Sequence, residues 1–155
     1  MRIWCGVDPG QTGALAAIIK NGKKIFAEVW DYQDIEDGLY VIEYNIKEGA
    51  NAKCLLEKQQ AFPGQGVVSM FKLGENYGKW QGWLDRMAMA YEIITPVQWR
   101  KAIFDSMPKQ ADKKAMSLDM ARRLFPKMRS ELSRKKDHGR AEALLLAELC
   151  RRKNT

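Results

Sequence analysis

The sequence predicts an α/β fold: a five-stranded mixed sheet, three antiparallel strands followed by two parallel ones, flanked by helices. Three observations carry this. Asn21-Gly22 lies between two apolar runs, a strong hairpin signal. Two later apolar runs, 53–57 and 91–95, are separated by stretches with helical spacing, as in crossover connections. After Pro96 the pattern is helical.

The elements follow in order. Residues 2–7, 14–20 and 24–30 are apolar runs joined by PGQTG and by Asn21-Gly22, giving three antiparallel strands. Residues 34–48 place Ile35, Leu39, Ile42 and Ile46 at helical spacing, and Gly49 follows as a stop. Residues 53–57 (KCLLE) form a short strand, 64–90 are mostly helical, and 91–95 (YEIIT) make a fifth strand halted by Pro96. Helices are expected over 97–104 and 112–125, a loop or weak helix over the basic stretch 127–137, and an amphipathic helix over 139–152.

The 155 residues suit one domain, 1–155, with a real core. No apolar run reaches the roughly 18 residues a membrane span needs, and the start lacks a secretory pattern. Cys5, Cys54 and Cys150 form no CxxC pair, which argues against a zinc ribbon or a disulfide framework. A cytoplasmic setting, bacterial or in a phage-infected host, is expected. The net charge of +7 is uneven: residues 100–155 hold 16 of the 26 Lys and Arg but 7 of the 19 Asp and Glu. A basic C-terminal third on a near-neutral body points to a polyanionic partner.

GVDPGQTG, residues 6–13, sets an acid, Asp8, at the end of the first strand. Asp8 is either a polar turn residue or a group held at a strand end to bind a cation. Glu57 ends a second strand; if that strand runs parallel to the first, both carboxylates emerge at one edge. Glu142, near the start of the last helix, lies beside Leu145, Leu146 and Leu149, with His138 four residues earlier and Asp137 next to it. Crowded carboxylates repel, so they must share protons or recruit a cation, and oxygen donors with one imidazole suit Mg²⁺ or Mn²⁺. Two such ions about 4 Å apart serve phosphodiester hydrolysis.

Five segments, GVDPGQTGALA, LLEKQQAFPGQGVVSMFKLGENYG, ITPVQWRKAI, DKKAMSLDMARRLFP and DHGRAEALLLA, together resemble the RuvC-type Holliday junction resolvases, especially the short phage members. The resemblance implies an RNase H-like fold and a homodimer that nicks opposing strands of a four-way DNA junction with two divalent ions per site. It makes Asp8, Glu57 and Glu142 catalytic metal ligands. The fourth ligand lies in Asp137-His138-Gly139. Helical geometry favours His138, with Asp137 supporting, because five residues before Glu142 is about 140° round an ideal helix. GVDPGQTG also resembles the phosphate-binding turn of actin-like kinases, but those need a duplicated fold and this chain has room for one copy. An RNase H-like nuclease of RNA or flap DNA, or a non-catalytic junction binder, are the alternative functions.

For DNA, Lys113, Lys114, Lys135, Lys136 and Arg140 offer phosphate contacts. Lys58, Gln60 and Phe62 follow Glu57 in a loop, where an exposed aromatic could wedge into an opened base step. Gly74, Gly78 and Gly82 form one stripe on a predicted helix, for close packing on the sheet or against a second subunit. Met107, Met116, Met120 and Met128 are expected to fill core gaps.

Overall fold

The computed structural model describes residues 1–10, 12–105 and 112–155, so Met107 lies outside the described residues. Strands β1 (Arg2–Asp8), β2 (Ala14–Asn21) and β3 (Lys24–Asp31) lead to α1 (Ile35–Lys47), β4 (Asn51–Glu57), α2 (Val67–Arg86) and β5 (Ala90–Ile94). Helices α3 (Pro96–Phe104), α4 (Lys113–Leu124) and α5 (His138–Lys153) complete the chain. The sheet has five strands in the order β3-β2-β1-β4-β5. β1–β2 and β2–β3 pair antiparallel, β1–β4 and β4–β5 parallel, as the sequence predicts. Gly22, at φ +60°, makes the tight turn that sets Asn21 opposite Lys24.

β1 is central, and Ile3 through Val7 are buried. Side chains alternate along it. Ile3, Cys5 and Val7 join the core under α1 and α2, whereas Trp4 belongs to the core under α3, α4 and α5. Gly6 also faces α5, and a Cβ there would overlap the backbone at Ala143 and Ala147. Only glycine lets the final helix lie this close to the sheet. All three cysteines are buried and free, acting as small core residues.

Helix α5 differs from the amphipathic expectation. Ala141 through Cys150 are all buried, including Glu142 and Glu148. The reason is placement: α5 runs between the sheet on one side and α3 and α4 on the other. Residues 126–137 are neither plain loop nor one weak helix, but three 3-10 turns at Pro126–Met128, Ser130–Leu132 and Lys135–Asp137. Arg122 pins them by donating to the Leu132 carbonyl at 2.8 and 2.6 Å. Met116 is buried, and Met120 and Met128 pack against the same core. Among the described residues, no helix is long and apolar enough to cross a membrane.

The glycine stripe faces outward. A Cβ on Gly74, Gly78 or Gly82 would meet nothing within 4 Å, so packing on the sheet is not what the stripe serves. Trp80 turns inward instead, fully buried and edge-on to Trp83 at 5.1 Å. The close fit at Gly6 generates a prediction: Gly6→Ala should lose about 1–3 kcal/mol of stability by urea unfolding, the range expected for overpacking. Gly78→Ala, on the open face, should be neutral or gain slightly.

Candidate active site

Parallel pairing decides where the acids go. β1 and β4 are in register with Val7 opposite Leu56, so Asp8 and Glu57, one residue further on, leave the sheet side by side at one edge. Their faces also agree. Asp8 follows Trp4 and Gly6 in the alternation, and Glu57 follows Leu55; Trp4 and Leu55 both lie in the α5-side core. Glu142 reaches the same place from the first turns of α5, whose approach to the Asp8 turn is so close that a Cβ on Gly139 would overlap the Thr12 carbonyl.

Asp8 is a turn residue as well as a member of this cluster. The Gly10 N–H donates to its Oδ1 at 3.1 Å, and the Gly13 N–H closes the turn on the Gly10 carbonyl at 2.9 Å. From the opposite side, the buried Asn76 of α2 donates its Nδ2 to the Pro9 carbonyl. Burial, then the charges of Glu142 and Glu57, push the Asp8 pKa up to about 7 against the opposing pull of Gly10 and Arg100. Glu57 is raised as well, by burial first, with the Trp99 hydrogen bond working against it and Glu142 adding repulsion. The three acids therefore feel one another as charges.

Helix α3 supplies partners that the sequence analysis did not single out. It starts where β5 ends, at the same sheet edge, with a capping box between Thr95 and Gln98 and Pro96 in its first turn. Trp99, fully buried, donates Nε1 to Glu57 Oε2 at 2.5 Å. Arg100 donates Nη2 to Glu142 Oε1 at 2.6 Å and Nη1 to Ser117 Oγ at 3.3 Å. Its guanidinium lies 4.5 Å from the centre of the Trp99 ring. Ser117 of α4 donates to the same Glu142 oxygen at 3.3 Å. Gln59 donates to Glu57 Oε1 at 3.3 Å. The one available signal was positional: residues in the first turns of a helix that follows a parallel strand lie at the strand's C-terminal edge.

Oxygen donors of this kind fit a hard divalent cation, and mutual repulsion gives the cluster a reason to take one up. As the side chains are oriented, Glu57 addresses Trp99 and Glu142 addresses Arg100. Among the described residues, no three His, Cys, Asp or Glu side chains stand together closely enough to share an ion. His138 begins α5 one turn before Glu142 and is partly buried.

Two sequence expectations need correction. Asp137 is not directed at the cluster: it is buried and takes four hydrogen bonds from Arg134, between 2.7 and 3.3 Å, through the backbone N–H and the guanidinium. Burial would raise its pKa, but Arg134 outweighs this and holds it below the usual carboxylate range. Arg140 is not an exposed phosphate contact. Its guanidinium is forked onto Asp31 at 2.7 and 2.5 Å and reaches Glu131 at 2.7 Å, tying α5 to the end of β3. Lys58, Gln60, Lys113, Lys114, Lys135 and Lys136 are exposed, as is Phe62 at 55%. Phe62 is thus not a core residue.

No family model matches the chain. Over 94 residues, 59% of its length, it is 34% identical to the chloroplastic Holliday junction resolvase MOC1 of Chlamydomonas reinhardtii. The chain spans about a tenth of that protein. Thermus thermophilus RuvC superposes with a TM-score of 0.55 at 18% identity, over 97% of this chain and 96% of that one. The chain has the fold of RuvC. The T. thermophilus RuvC complex with a Holliday junction substrate agrees, at TM-score 0.53 and 15% identity, over 94% and 90% of the two chains. The RNase H-like sheet expected from the sequence is therefore the observed one.

The raised Asp8 pKa carries a stability prediction. An acid whose folded pKa lies above its ordinary value near 3.8 favours the folded state fully below that value. This contribution is lost as pH rises through about 7. Metal-free Asp8→Asn should therefore melt several degrees above the wild type at pH 8, at about 2–4 °C per kcal/mol. At pH 4 the two should melt together. Thermal scans in EDTA at both pH values check this.

Proposed function

We propose that this protein is a metal-dependent, structure-selective DNA endonuclease that resolves four-way junctions by paired nicking. The observation that carries the reading is the meeting of Asp8, Glu57 and Glu142 at one sheet edge within the RuvC fold. The likeness to a Holliday junction resolvase and to a junction-bound RuvC supports branched DNA as the substrate.

Asp8, Glu57 and Glu142 would hold Mg²⁺ or Mn²⁺, two ions per site, with His138 at the entrance of α5 as the fourth ligand. When bound, such ions lower the pKa of a water nucleophile and shield the charge that builds on the phosphate and the leaving oxygen. The chain's own part is positioning. Trp99 and Gln59 fix the Glu57 carboxylate, the Gly10 N–H and Asn76 fix the turn that carries Asp8, and the tight seat of α5 on Gly6 fixes Glu142 relative to both. In this reading His138 would also aid proton transfer at the leaving oxygen.

The exposed Lys58, Lys113, Lys114, Lys135 and Lys136 would bind backbone phosphates and make affinity fall steeply with salt. Gln60 and Phe62, in the loop directly after Glu57, would meet an opened base step. A homodimer matches the approximate two-fold symmetry of a four-way junction, giving each opposing strand one site. The exposed α2 face supports it: Val67, Phe71, Gly74, Gly78 and Gly82 share one stripe that nothing in the chain covers among the described residues.

The test is incubation of the protein with a labelled four-way junction and Mg²⁺ or Mn²⁺. Paired nicks at matching positions on opposing strands are expected, and Asp8→Asn should abolish them while still shifting the junction in a gel. Nicking confined to flap DNA or RNA would contradict the substrate assignment. Junction binding without cleavage by the wild type would leave a binding protein rather than an enzyme.

A further inference from the structure

Arg100 is the one cation that reaches into the acid cluster among the described residues, and it is held there from two sides. Its planar group lies over the indole of Trp99, which is itself fastened to Glu57, and two of its nitrogens donate to Glu142 and Ser117. The side chain is only 22% exposed, so the pair is shielded from the solvent and salt that weaken surface ion pairs. A lysine could not do the same, since stacking and a two-pronged donor set are properties of guanidinium.

Arg100 and Ser117 both donate to Glu142 Oε1, so an ion that reaches Glu142 meets a carboxylate already paired with a positive charge. A dication approaching the same carboxylate is repelled by the guanidinium beside it. We infer that Arg100 is a tethered counter-cation that holds Glu142 while the site is metal-free, and that divalent ions load the site against its charge. Arg100 is thus a positioning residue that sets the ion concentration at which the site fills. The repulsion between its charge and the incoming ions is subtracted from the free energy of ion binding. The inference rests on reading Asp8, Glu57 and Glu142 as cation ligands.

The experiment is a Mn²⁺ titration followed by electron paramagnetic resonance on metal-free wild type, Arg100→Gln, Arg100→Lys and Asp8→Asn, at pH 8.5. Arg100→Gln should bind Mn²⁺ about tenfold more tightly than the wild type, equivalent to about 1.4 kcal/mol. Arg100→Lys should fall between the two. In EDTA, Arg100→Gln should also melt below the wild type and recover when Mn²⁺ is added. A merely structural arginine would give the opposite sign, because a loosened cluster binds ions more weakly. Equal or weaker Mn²⁺ affinity in the Arg100 variants overturns the inference and leaves the nuclease reading standing. If Arg100→Gln fails to fold, Arg100→Lys against wild type decides on the same criterion. Wild-type protein that takes up no Mn²⁺ sensitive to Asp8→Asn would overturn the inference and the cation-ligand reading together.

Discussion

Three carboxylates enclosed at one sheet edge repel one another, and the surrounding structure is arranged to hold them there. Burial and like charge raise Asp8 to a pKa of about 7, a cluster that a hairpin turn alone would not need. What keeps the acids together is mechanical. The parallel β1–β4 register aligns two of them. A strand position without a side chain, Gly6, lets α5 press the third against the sheet. Helix α3, starting at the same edge, adds a neutral donor to Glu57 and a positive one to Glu142. Each partner engages a single carboxylate, so the cluster is divided between protein partners rather than gathered on one point.

The cluster is also tied to the far side of the sheet. Asn76 reaches from α2 to the Pro9 carbonyl, immediately after Asp8, while the glycines of α2 point the other way. One helix therefore carries an outward glycine stripe and an inward hold on the turn of the first acid. Asn76 Oδ1 and Trp80 Nε1, one turn apart on α2, are both buried without a hydrogen-bond partner within the described residues. This unpaired polar spot lies on the side of α2 that faces the sheet.

Much of the architecture was legible because it depends on local patterning. Strand alternation, the Asn21-Gly22 turn and the Pro96 stop define the sheet, and the order of elements then brings Asp8 beside Glu57. Side-chain partnerships were not legible, because they depend on how helices cross. Trp99 and Arg100 look like ordinary helix residues until α3 is laid against α4 and α5. Arg140 looks like one more basic side chain in a basic stretch until Asp31, 109 residues away, is found under it. Asp137 reads as a ligand beside His138 until Arg134, three residues before it, is seen to hold it. The glycine stripe shows the same limit, since periodicity establishes that the three glycines share a face but not which way it looks.

Convergence of Asp8, Glu57 and Glu142 on divalent ions can be read from anomalous diffraction by crystals soaked in Mn²⁺. Strong anomalous peaks are expected within bonding distance of all three carboxylates. Crystals saturated with Mn²⁺ that show no peak there would contradict that convergence.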